Sequence, residues 1–594
     1  MKKLQLFLFA ISTLFFIACS EPNSPDKSLT ITVAHVNDIH SHISQESLDL
    51  EINGVETRVN VGGYPRVLSE INSIESTQKN TLILNAGDAI EGTLYYTLFK
   101  GEADATMMNS IKWDAFVLGN HEFDDGDESL ASFLNLLDVP IISANVVADK
   151  DDILYGKWKP YLIKNVDNEQ IGIIGITIKL KTMESSKPSS KIKFYDEILT
   201  TQKTVDELKA KGVNKIILLS HYGYENDKYL ASKIEGVDVI IGGDSHTLLG
   251  DFSAVGLTSE GNYPTEVLSK SSQKVCIVQA WSYTKVVGDL EVTFDEKGVV
   301  EKCEGTPTLI IGDTFLQKNE HGERVEVNSS IKEEIVDFIN QHKNIKIVQR
   351  DENSLKLLES YKSEVDLKIK EIIGSATQTL RHIRVPKADY LGNDGSELPL
   401  GSEVAPIVCK AFYDSSLRSD AAILNAGGVR TNIQNGDITI NTAYTLLPFS
   451  STLYEIEMKG SEIKHLLEEA LSNFKDDGGS NGSFPYAYGL KYDIDMRESF
   501  GNRVSNLEII DRETSHFSSI DADGLYIIVT IDYLASGKDG YKSFKSVQDE
   551  RGKGVNTYID YALGFVNYVK AKTKNSQDIE KLEVSQHCIK SYIE

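Results

Sequence analysis

Five apolar segments, each followed at once by a polar turn, constrain the fold of residues 29–310 more than any other feature. They read TITVAHVND, TLILNAGD, AFVLGNHEFD, KIILLSHYG and VDVIIGGDSH. Helix-like stretches such as DESLASFLNLL and LTTQKTVDELKAK separate some of them. Buried strands that alternate with helices predict an α/β domain. Ligand sites in such domains lie at the carboxyl ends of the strands, so we expect the chemistry in these turns.

The length of the chain predicts at least two domains, because 594 residues with 41% hydrophobic composition exceed what one core usually holds. Residues 329–370 are charged, lack glycine and proline, and have helical spacing, which indicates a helical linker. The pattern then restarts with SEVAPIVCKAFYDSSL, AAILNAGG and SEIKHLLEEALSNF. We therefore predict a first domain over residues 29–328, a linker over 329–370 and a second mixed α/β domain over 371–594.

The amino terminus, MKKLQLFLFAISTLFFIACS, has the charged start, apolar run and small residue of a secretory signal peptide. The apolar run falls short of the ~20 residues that a membrane-spanning helix needs. The segment FIAC resembles a bacterial lipobox, although Phe16 replaces the usual leucine. We expect a signal peptide over residues 1–18 and acylation of Cys19, with a tether over residues 19–28. This predicts a membrane anchor on the periplasmic face of the outer membrane or the cell surface, with plain secretion as the alternative.

The charge and the remaining cysteines exclude some functions. A formal net charge of -27 repels nucleic acid, so no nucleic-acid partner is expected, and local cations must bind any anionic substrate. No protein partner is implied. The other cysteines show no metal-type spacing. Export permits disulfides, and Cys276 with Cys303 is one candidate pair, although spacing alone gives it no support.

The residues after the five apolar segments are oxygen and nitrogen donors. Asp38 and His40 are separated by one residue, so in an extended strand both would face the same side. The other turns supply Asp88, Asn120, His121, Asp124, His221, Asp244 and His246. Each motif alone is weak, but the convergence of five strand ends is poorly explained by chance. A donor set without thiolate suits two divalent ions such as Zn or Mn, which together clamp a phosphoryl group. The sequence therefore predicts phosphate-ester hydrolysis.

In this order, D-I-H, GD, GNHEFD, SHYG and GGDSHT resemble the calcineurin-like metallophosphoesterases, especially the bacterial 5'-nucleotidase and UDP-sugar hydrolase family. The resemblance covers nearly the whole mature chain and implies a four-layer α/β/β/α first domain. It implies that one metal is held by Asp38, His40 and His246, that Asp88 bridges, and that the other is held by Asn120, His221 and Asp244. A metal-activated water would attack phosphorus while a dyad of His121 and Asp124 stabilises the transition state.

One residue departs from the pattern of the family, which more often has histidine at the position of Asp244. Asp244 either ligates through oxygen or lies aside. If Asp244 ligates, the site contains three carboxylates, those of Asp38, Asp88 and Asp244. Together with two dications they give a formal net charge of +1, whereas two carboxylates would give +2. We would then expect a preference for harder ions, towards Mn.

The segments LNAGGVRTNI, YTLLPFSSTL and IDYLASGKDGY resemble the nucleotide-binding domain of the same family. The resemblance implies that Phe449 and Tyr533 sandwich a base and that Asp539 accepts hydrogen bonds from ribose hydroxyls. Further implied contacts are a polar one from Asn425, a close backbone approach at Gly428 and phosphate binding by Arg381, Arg384 and Arg430. Tyr533 replaces a more usual phenylalanine, and Ser536-Gly537-Lys538 alters the setting of Asp539.

These features predict a 5'-nucleotidase acting on AMP-like substrates. Details such as SHYGYENDKYLA and GGDSHTLLG resemble the branch that contains NAD nucleotidases, so cleavage of NAD or UDP-sugar pyrophosphates is a second expected activity. One alternative is a surface lipoprotein that binds nucleotides without catalysis. Another is a metallophosphatase with a non-nucleotide substrate, against which the aromatic pair and Asp539 speak. Relatives rotate the second domain to carry substrate to the metals.

Overall fold

The computed structural model describes residues 28–594 except 187, 321, 387–397, 450, 478 and 553. The predicted signal peptide, the predicted acylation site Cys19 and nearly all of the predicted tether lie outside the described residues. Within the described part of the chain, no helix is both long and apolar enough to cross a bilayer.

The first half of the chain alternates strands and helices. Its strands are β1 (Leu29–Val36), β2 (Glu46–Ile52), β3 (Val55–Val61), β4 (Thr81–Asn85), β5 (Ala115–Val117), β6 (Ile141–Ile142), β7 (Val146–Ala148), β8 (Tyr161–Val166), β9 (Glu169–Thr177), β10 (Ile192–Phe194), β11 (Lys215–His221), β12 (Val239–Gly242), β13 (Thr265–Leu268), β14 (Lys274–Val278), β15 (Val286–Phe294), β16 (Val300–Lys318), β17 (Arg324–Glu326) and β18 (Ile345–Ile347). Its helices are α1 (Tyr64–Thr77), α2 (Leu94–Phe99), α3 (Glu102–Met108), α4 (Asp127–Leu136), α5 (Lys179–Ser185), α6 (Glu197–Ala210), α7 (Tyr224–Lys233), α8 (Ser329–Asn340) and α9 (Glu352–Lys368).

Two sheets form the centre of this half. The first has the order β2-β3-β16-β15-β1-β4-β5-β6, and the second has the order β13-β14-β12-β11-β9-β8. The pairs β1–β4, β4–β5 and β5–β6 are parallel in the first sheet, as are β9–β11, β11–β12 and β12–β14 in the second. Every residue of β11, KIILLSH, is buried, as expected for a strand covered on both faces.

Three hydrophobic clusters define four layers. One cluster joins the inner faces of the two sheets, for example Val33 with Ile217. A second packs α1, α3 and α4 on the outer face of the first sheet, and a third packs α6 and α7 on the outer face of the second. The predicted α/β/β/α architecture is therefore confirmed.

Residues 329–370, predicted as a helical linker, contain α8 and α9 with β18 between them. β18 pairs with β16 of the first sheet. Ile335 and Ile339 of α8 and Leu358 of α9 belong to cores of the first half. Val365, near the end of α9, packs against the cores of both halves.

The second half builds a separate mixed core. Its strands are β19 (Ile372–Ala376), β20 (Ala421–Asn425), β21 (Gly436–Thr439), β22 (Thr452–Lys459), β23 (Pro485–Tyr488), β24 (Leu490–Asp495), β25 (Val504–Ile510), β26 (Phe517–Ser519), β27 (Leu525–Ile531), β28 (Val555–Asp560) and β29 (Ile589–Ile593). Its helices are α10 (Ala405–Ser415), α11 (Ile440–Leu446), α12 (Gly460–Lys475), α13 (Asp532–Ala535), α14 (Lys542–Arg551) and α15 (Tyr561–Lys574). A sheet of order β23-β20-β27-β22-β28 and one of order β26-β25-β24-β29 share one apolar core with α10, α12 and α15.

A disulfide joins the two central sheets. Cys276 lies on β14 of the second sheet and Cys303 on β16 of the first, with their Cα atoms 6.5 Å apart. Both side chains belong to the core between the sheets. The bond closes a loop with a sequence separation of 27 residues, which restricts the unfolded chain.

We predict that the double variant Cys276→Ser/Cys303→Ser loses about 3 kcal/mol of unfolding free energy in the first domain, the loop-closure value for such a bridge. All three tryptophans, Trp113, Trp158 and Trp281, lie in that domain, so fluorescence during urea unfolding reports on it alone. The matched control is Cys409→Ser, a free buried cysteine of the second half. A urea midpoint of the wild-type tryptophan fluorescence transition that does not change when reductant is added would contradict the prediction.

Candidate active site at the strand ends

The predicted metal-binding side chains lie where parallel strands of the two sheets end. Asp38 and His40 follow β1, Asp88 follows β4, Asn120 follows β5, His221 ends β11, and Asp244 and His246 follow β12. Five of them have left-handed backbone conformations with φ between 49° and 72°: Asp38, His40, Asp88, Asp244 and His246. Each such conformation costs a residue with a side chain about 1–3 kcal/mol. This concentration of strain points to a functional site.

Five of these residues, together with His121, form one cluster of donor atoms. Three groups have ligand atoms within 4.8 Å of one another: Asp38, His40 and His246; His40, Asp88 and His121; Asp38, Asp88 and His221. The Nε2 atom of His221 lies 2.9 Å from Asp88 Oδ2, and His246 Nε2 lies 3.5 Å from Asp38 Oδ1. Because Asp38 and Asp88 each belong to two groups, the groups are continuous.

This cluster fits divalent metal ions. His121 Nε2 and both side-chain amide atoms of Asn120 are buried without a hydrogen-bond partner in the described structure. Burial is the largest cause that holds the pKa of His40 and His246 well below the usual value, so both rings are neutral and able to ligate. Buried carboxylates need compensating charge, which cations at this position would supply.

His121 lies beside the cluster as one half of a pair. Its Nδ1 atom is 2.5 Å from Asp124 Oδ2, and its Nε2 atom has no hydrogen-bond partner. Burial lowers the pKa of His121, but the charges of Asp124 and Asp88 outweigh this effect and raise the pKa to about 9. The ring is therefore protonated at neutral pH, with its second N–H free to meet an anion.

Glu122, which the sequence reasoning missed, holds these loops together. Its carboxylate accepts hydrogen bonds from the backbone amides of Asp88, Ala89 and Gly119 at 3.1, 2.8 and 2.6 Å. A Cβ on Gly119 would lie 2.1 Å from Asp88 Oδ1, so the loop needs glycine there. The place of Glu122 inside GNHEFD was the available signal.

Lys181 of α5 is a second residue that sequence reasoning missed. Its Nζ lies 2.6 Å from Asp244 Oδ1, and His221 Nε2 lies 3.8 Å from the same oxygen. Asp244 thus adjoins the cluster but belongs to none of its three groups. The sequence offers no signal for Lys181, since a lysine on a short polar helix usually faces solvent.

Tyr558 of β28 brings the second domain onto the cluster. Its ring stacks on His246 with centroids 4.2 Å apart, and it lies 4.8 Å from the ring of His40 and 4.9 Å from that of His121. Its hydroxyl donates to the backbone carbonyl of Asp244. Only 5% of the residue is exposed, so the ring covers the donor atoms in this conformation.

The predicted nucleoside-binding residues gather in the second domain. Asp539 accepts a hydrogen bond from Asn425 Nδ2 at 2.7 Å and one from the Tyr533 hydroxyl at 3.1 Å. The guanidinium of Arg430 lies over the ring of Phe449, 5.5 Å from its centroid. Phe449 is 48% exposed and Tyr533 44%, which is unusual for large aromatic side chains and leaves both available for stacking.

The remaining candidates lie in the same part of the second domain. Gly428 ends the short 3-10 helix Ala426–Gly428 after β20. Arg384 donates to Asn481 at 3.1 Å, and Arg381 lies 3.9 Å from Glu403. Burial, followed by the charge of Arg384 and a smaller effect of Arg430, lowers the pKa of His382 to about 4. Both arginines therefore lie near His382.

Most of the predicted nucleotide-binding residues lie outside the two clefts that border the donor cluster. Two clefts flank Tyr558 between the domains: one is lined by His40, Tyr283 and Phe449, the other by Glu91, His121 and Asp124. Within these two clefts of the described structure, Phe449 is the one member of the predicted nucleotide-binding set. The donor cluster and the predicted nucleoside-binding residues therefore border the same interdomain space, and Phe449 shares a cleft with His40.

Two facing sheets whose strand ends hold a buried cluster of metal-ligand donors are typical of the metallophosphoesterases. Residues 31–248 match the family of calcineurin-like phosphoesterases, which use divalent metals. Residues 386–546 match the 5'-nucleotidase C-terminal domain.

Whole-chain comparisons agree. The chain is 38% identical to NAD 5'-nucleotidase of Haemophilus influenzae, over 96% of this chain and 95% of that protein. It is also 38% identical to a probable 5'-nucleotidase of Treponema pallidum, over 94% of each. The solved Haemophilus influenzae NAD nucleotidase superposes with a TM-score of 0.85 at 37% identity, covering 96% of this chain and 99% of the other. The chain therefore belongs to the 5'-nucleotidase family.

We predict that Tyr558→Ala speeds the removal of bound metal by a chelator about tenfold, because the covering ring is lost from a mostly dry site. Metal release from nucleotide-free protein into a chromogenic chelator measures the rate. Tyr155→Ala, which changes an exposed tyrosine of the first domain, is the control. Equal rates in the wild type and both variants would show that Tyr558 does not cover the metals.

Proposed function

We propose that this chain is an exported, lipid-anchored nucleotidase that releases phosphate from nucleoside 5'-monophosphates and also cleaves the pyrophosphate of NAD or a UDP-sugar. The observation that carries the proposal is the buried donor cluster with the unpartnered Nε2 of protonated His121 beside it. The similarity to NAD 5'-nucleotidase over nearly the full length supports NAD as a substrate.

In this proposal, Asp38, His40 and His246 would hold one metal, Asn120, His221 and Asp244 would hold the other, and Asp88 would be shared by both. Divalent ions such as Zn or Mn, when bound there, would supply activation of water and neutralisation of charge on the phosphoryl oxygens. The neutral rings of His40 and His246 and the unpartnered side-chain amide of Asn120 support these roles. The backbone amide of His121 donates to Asp88 Oδ1 at 2.9 Å, which fixes the bridging carboxylate.

His121 and Asp124 act on the reacting group. Asp124 fixes the ring through Nδ1 and keeps it protonated, so Nε2–H points to the charge that develops on a phosphoryl oxygen. Because this donor is set in place before the reaction, little reorganisation is needed at the transition state.

The second domain supplies the binding of the nucleoside. Phe449 and Tyr533 stack the base, which contributes about 1–3 kcal/mol per base and tolerates different bases. Asp539, held by Asn425 and Tyr533, accepts hydrogen bonds from ribose hydroxyls. Gly428 permits close backbone approach, and Arg381, Arg384 and Arg430 bind phosphate.

We also propose that residues 29–328 and 371–594 are the two domains and that residues 329–370 connect them. A nucleotide held by the second domain must reach metals that Tyr558 covers, so the domains must shift relative to each other. Val365, which packs against both cores near the end of α9, marks where such a shift would be absorbed.

Two alternatives are less well supported. A nucleotide-binding protein without catalysis would lack some of the metal-binding donors or the pair of His121 and Asp124. In this chain both are present, and the donor cluster is continuous and buried. A phosphatase for non-nucleotide substrates would not need two exposed aromatic rings beside an acceptor such as Asp539.

We predict that protein from residue 20 onward releases phosphate from AMP and cleaves NAD, and that full metal removal abolishes both activities. His121→Ala should lower kcat by about 10²–10⁴-fold, the range of a positioned acid or base. His465→Ala, which removes an exposed histidine of α12, is the control. Phosphate release that survives complete chelation would overturn the mechanism.

The lipid anchor is proposed from the sequence around Cys19 alone. We predict that cells expressing the full chain incorporate labelled palmitate into it and that Cys19→Ser abolishes the label. The variant should then appear in the soluble exported fraction. Labelling that persists in Cys19→Ser would rule out this anchor site.

A further inference from the structure

We propose that Lys181 is a phosphate-binding residue of this centre and that its ion pair with Asp244 holds it there. The inference rests on the nucleotidase function proposed above. The ammonium and the carboxylate are 2.6 Å apart, and the two side chains are 12% and 10% exposed. An ion pair this well enclosed has a defined position, unlike the mobile pairs of a protein surface.

The helix that carries Lys181 is tied to the cluster at both ends. Before α5, the backbone amide of Ile178 donates to the carbonyl of His221 at 2.7 Å. After it, the hydroxyl of Ser186 donates to the carbonyl of Asn120 at 2.9 Å. His221 and Asn120 are both predicted metal ligands from different sheets, so α5 spans the strand ends. Lys181 is thereby fixed to the centre by the backbone as well as by Asp244.

The ammonium of Lys181 borders the space in front of the donor cluster. It lies over the ring of Tyr558, 4.3 Å from its centroid. The same ring stacks on His246 and approaches His40 and His121. A phosphoryl group can reach the donor atoms only when this ring has moved away. Lys181 then faces the vacated space and meets the phosphate.

Lys181 also changes the charge balance of the site. Two dications against the carboxylates of Asp38, Asp88 and Asp244 leave a formal net charge of +1, and Lys181 restores it to +2. The pair thus keeps the centre attractive to a phosphate dianion although an extra carboxylate adjoins it.

Variants that neutralise Lys181, Asp244 or both test the proposal. For each variant, the binding of inorganic phosphate and of metal is measured by calorimetry. Lys181→Met should weaken phosphate binding about 10- to 100-fold, the loss of one charge-assisted hydrogen bond. It should not weaken metal binding, because it removes a cation and frees Asp244. With metal in excess, Asp244→Asn removes the partner that holds the ammonium in place, so it should weaken phosphate binding, but less than Lys181→Met does because the positive charge remains. The double variant also lacks the ammonium and should bind phosphate to within about threefold of Lys181→Met, because both changes act on one interaction.

Two further variants separate charge from packing. Lys181→Arg keeps the charge and should retain phosphate binding, whereas Lys179→Met changes the first lysine of the same helix and is the matched control. Phosphate affinity in Lys181→Met within twofold of Lys179→Met, or metal affinity lost with it, would overturn the proposal. If wild-type protein binds phosphate through Lys181 yet hydrolyses no AMP, the nucleotidase function fails and the phosphate site stands. If the wild-type protein hydrolyses AMP but Lys181→Met binds phosphate with unchanged affinity, the proposed role of Lys181 is wrong and the nucleotidase function stands.

Discussion

The carboxylate of Asp88 is a buried negative charge on which three strand ends converge. Its Oδ1 accepts from the backbone amide of His121 after β5, and its Oδ2 lies 2.9 Å from His221 at the end of β11. β4 and β5 belong to one sheet and β11 to the other, so this single group ties the two sheets at their functional edge. The cost of burying such a charge explains why its neighbours are cations, amides and metal-binding rings.

The interface between the domains depends on that edge. Tyr558 packs its ring on His246 and donates its hydroxyl to the carbonyl of Asp244, so the second domain uses the cluster itself as a contact surface. The contact divides the interdomain space into two clefts, and Phe449 lines the one that contains His40. On the proposed function, a base stacked on Phe449 would lie on the His40 side of Tyr558. Withdrawal of one ring would join that cleft to the donor atoms.

Much of this arrangement was predictable from sequence because it follows local pattern. Apolar runs that end in polar turns specify parallel strands, and parallel strands bring their carboxyl ends together whatever separates them in the chain. Asp38 and Asp88, fifty residues apart in sequence, meet for this reason because they follow the paired parallel strands β1 and β4. Lys181 and Tyr558 were not predictable, because each reaches the cluster from an element without such a pattern. One lies on a short helix whose two ends are tied by hydrogen bonds, and the other lies on a strand of a different domain.

The net charge of -27 sets a further constraint on this site, because the substrate of a nucleotidase is itself an anion. At physiological ionic strength, charges separated by more than about 8 Å in solvent are largely screened. Surface carboxylates therefore oppose approach only weakly, whereas charges in an enclosed site act with far less screening. Protonated His121 and Lys181 lie within such an enclosure, and Arg430 lies over the ring of Phe449 at the cleft that leads towards it. Recognition of an anion by this acidic chain is consequently decided by these few cations and the metals rather than by its overall charge.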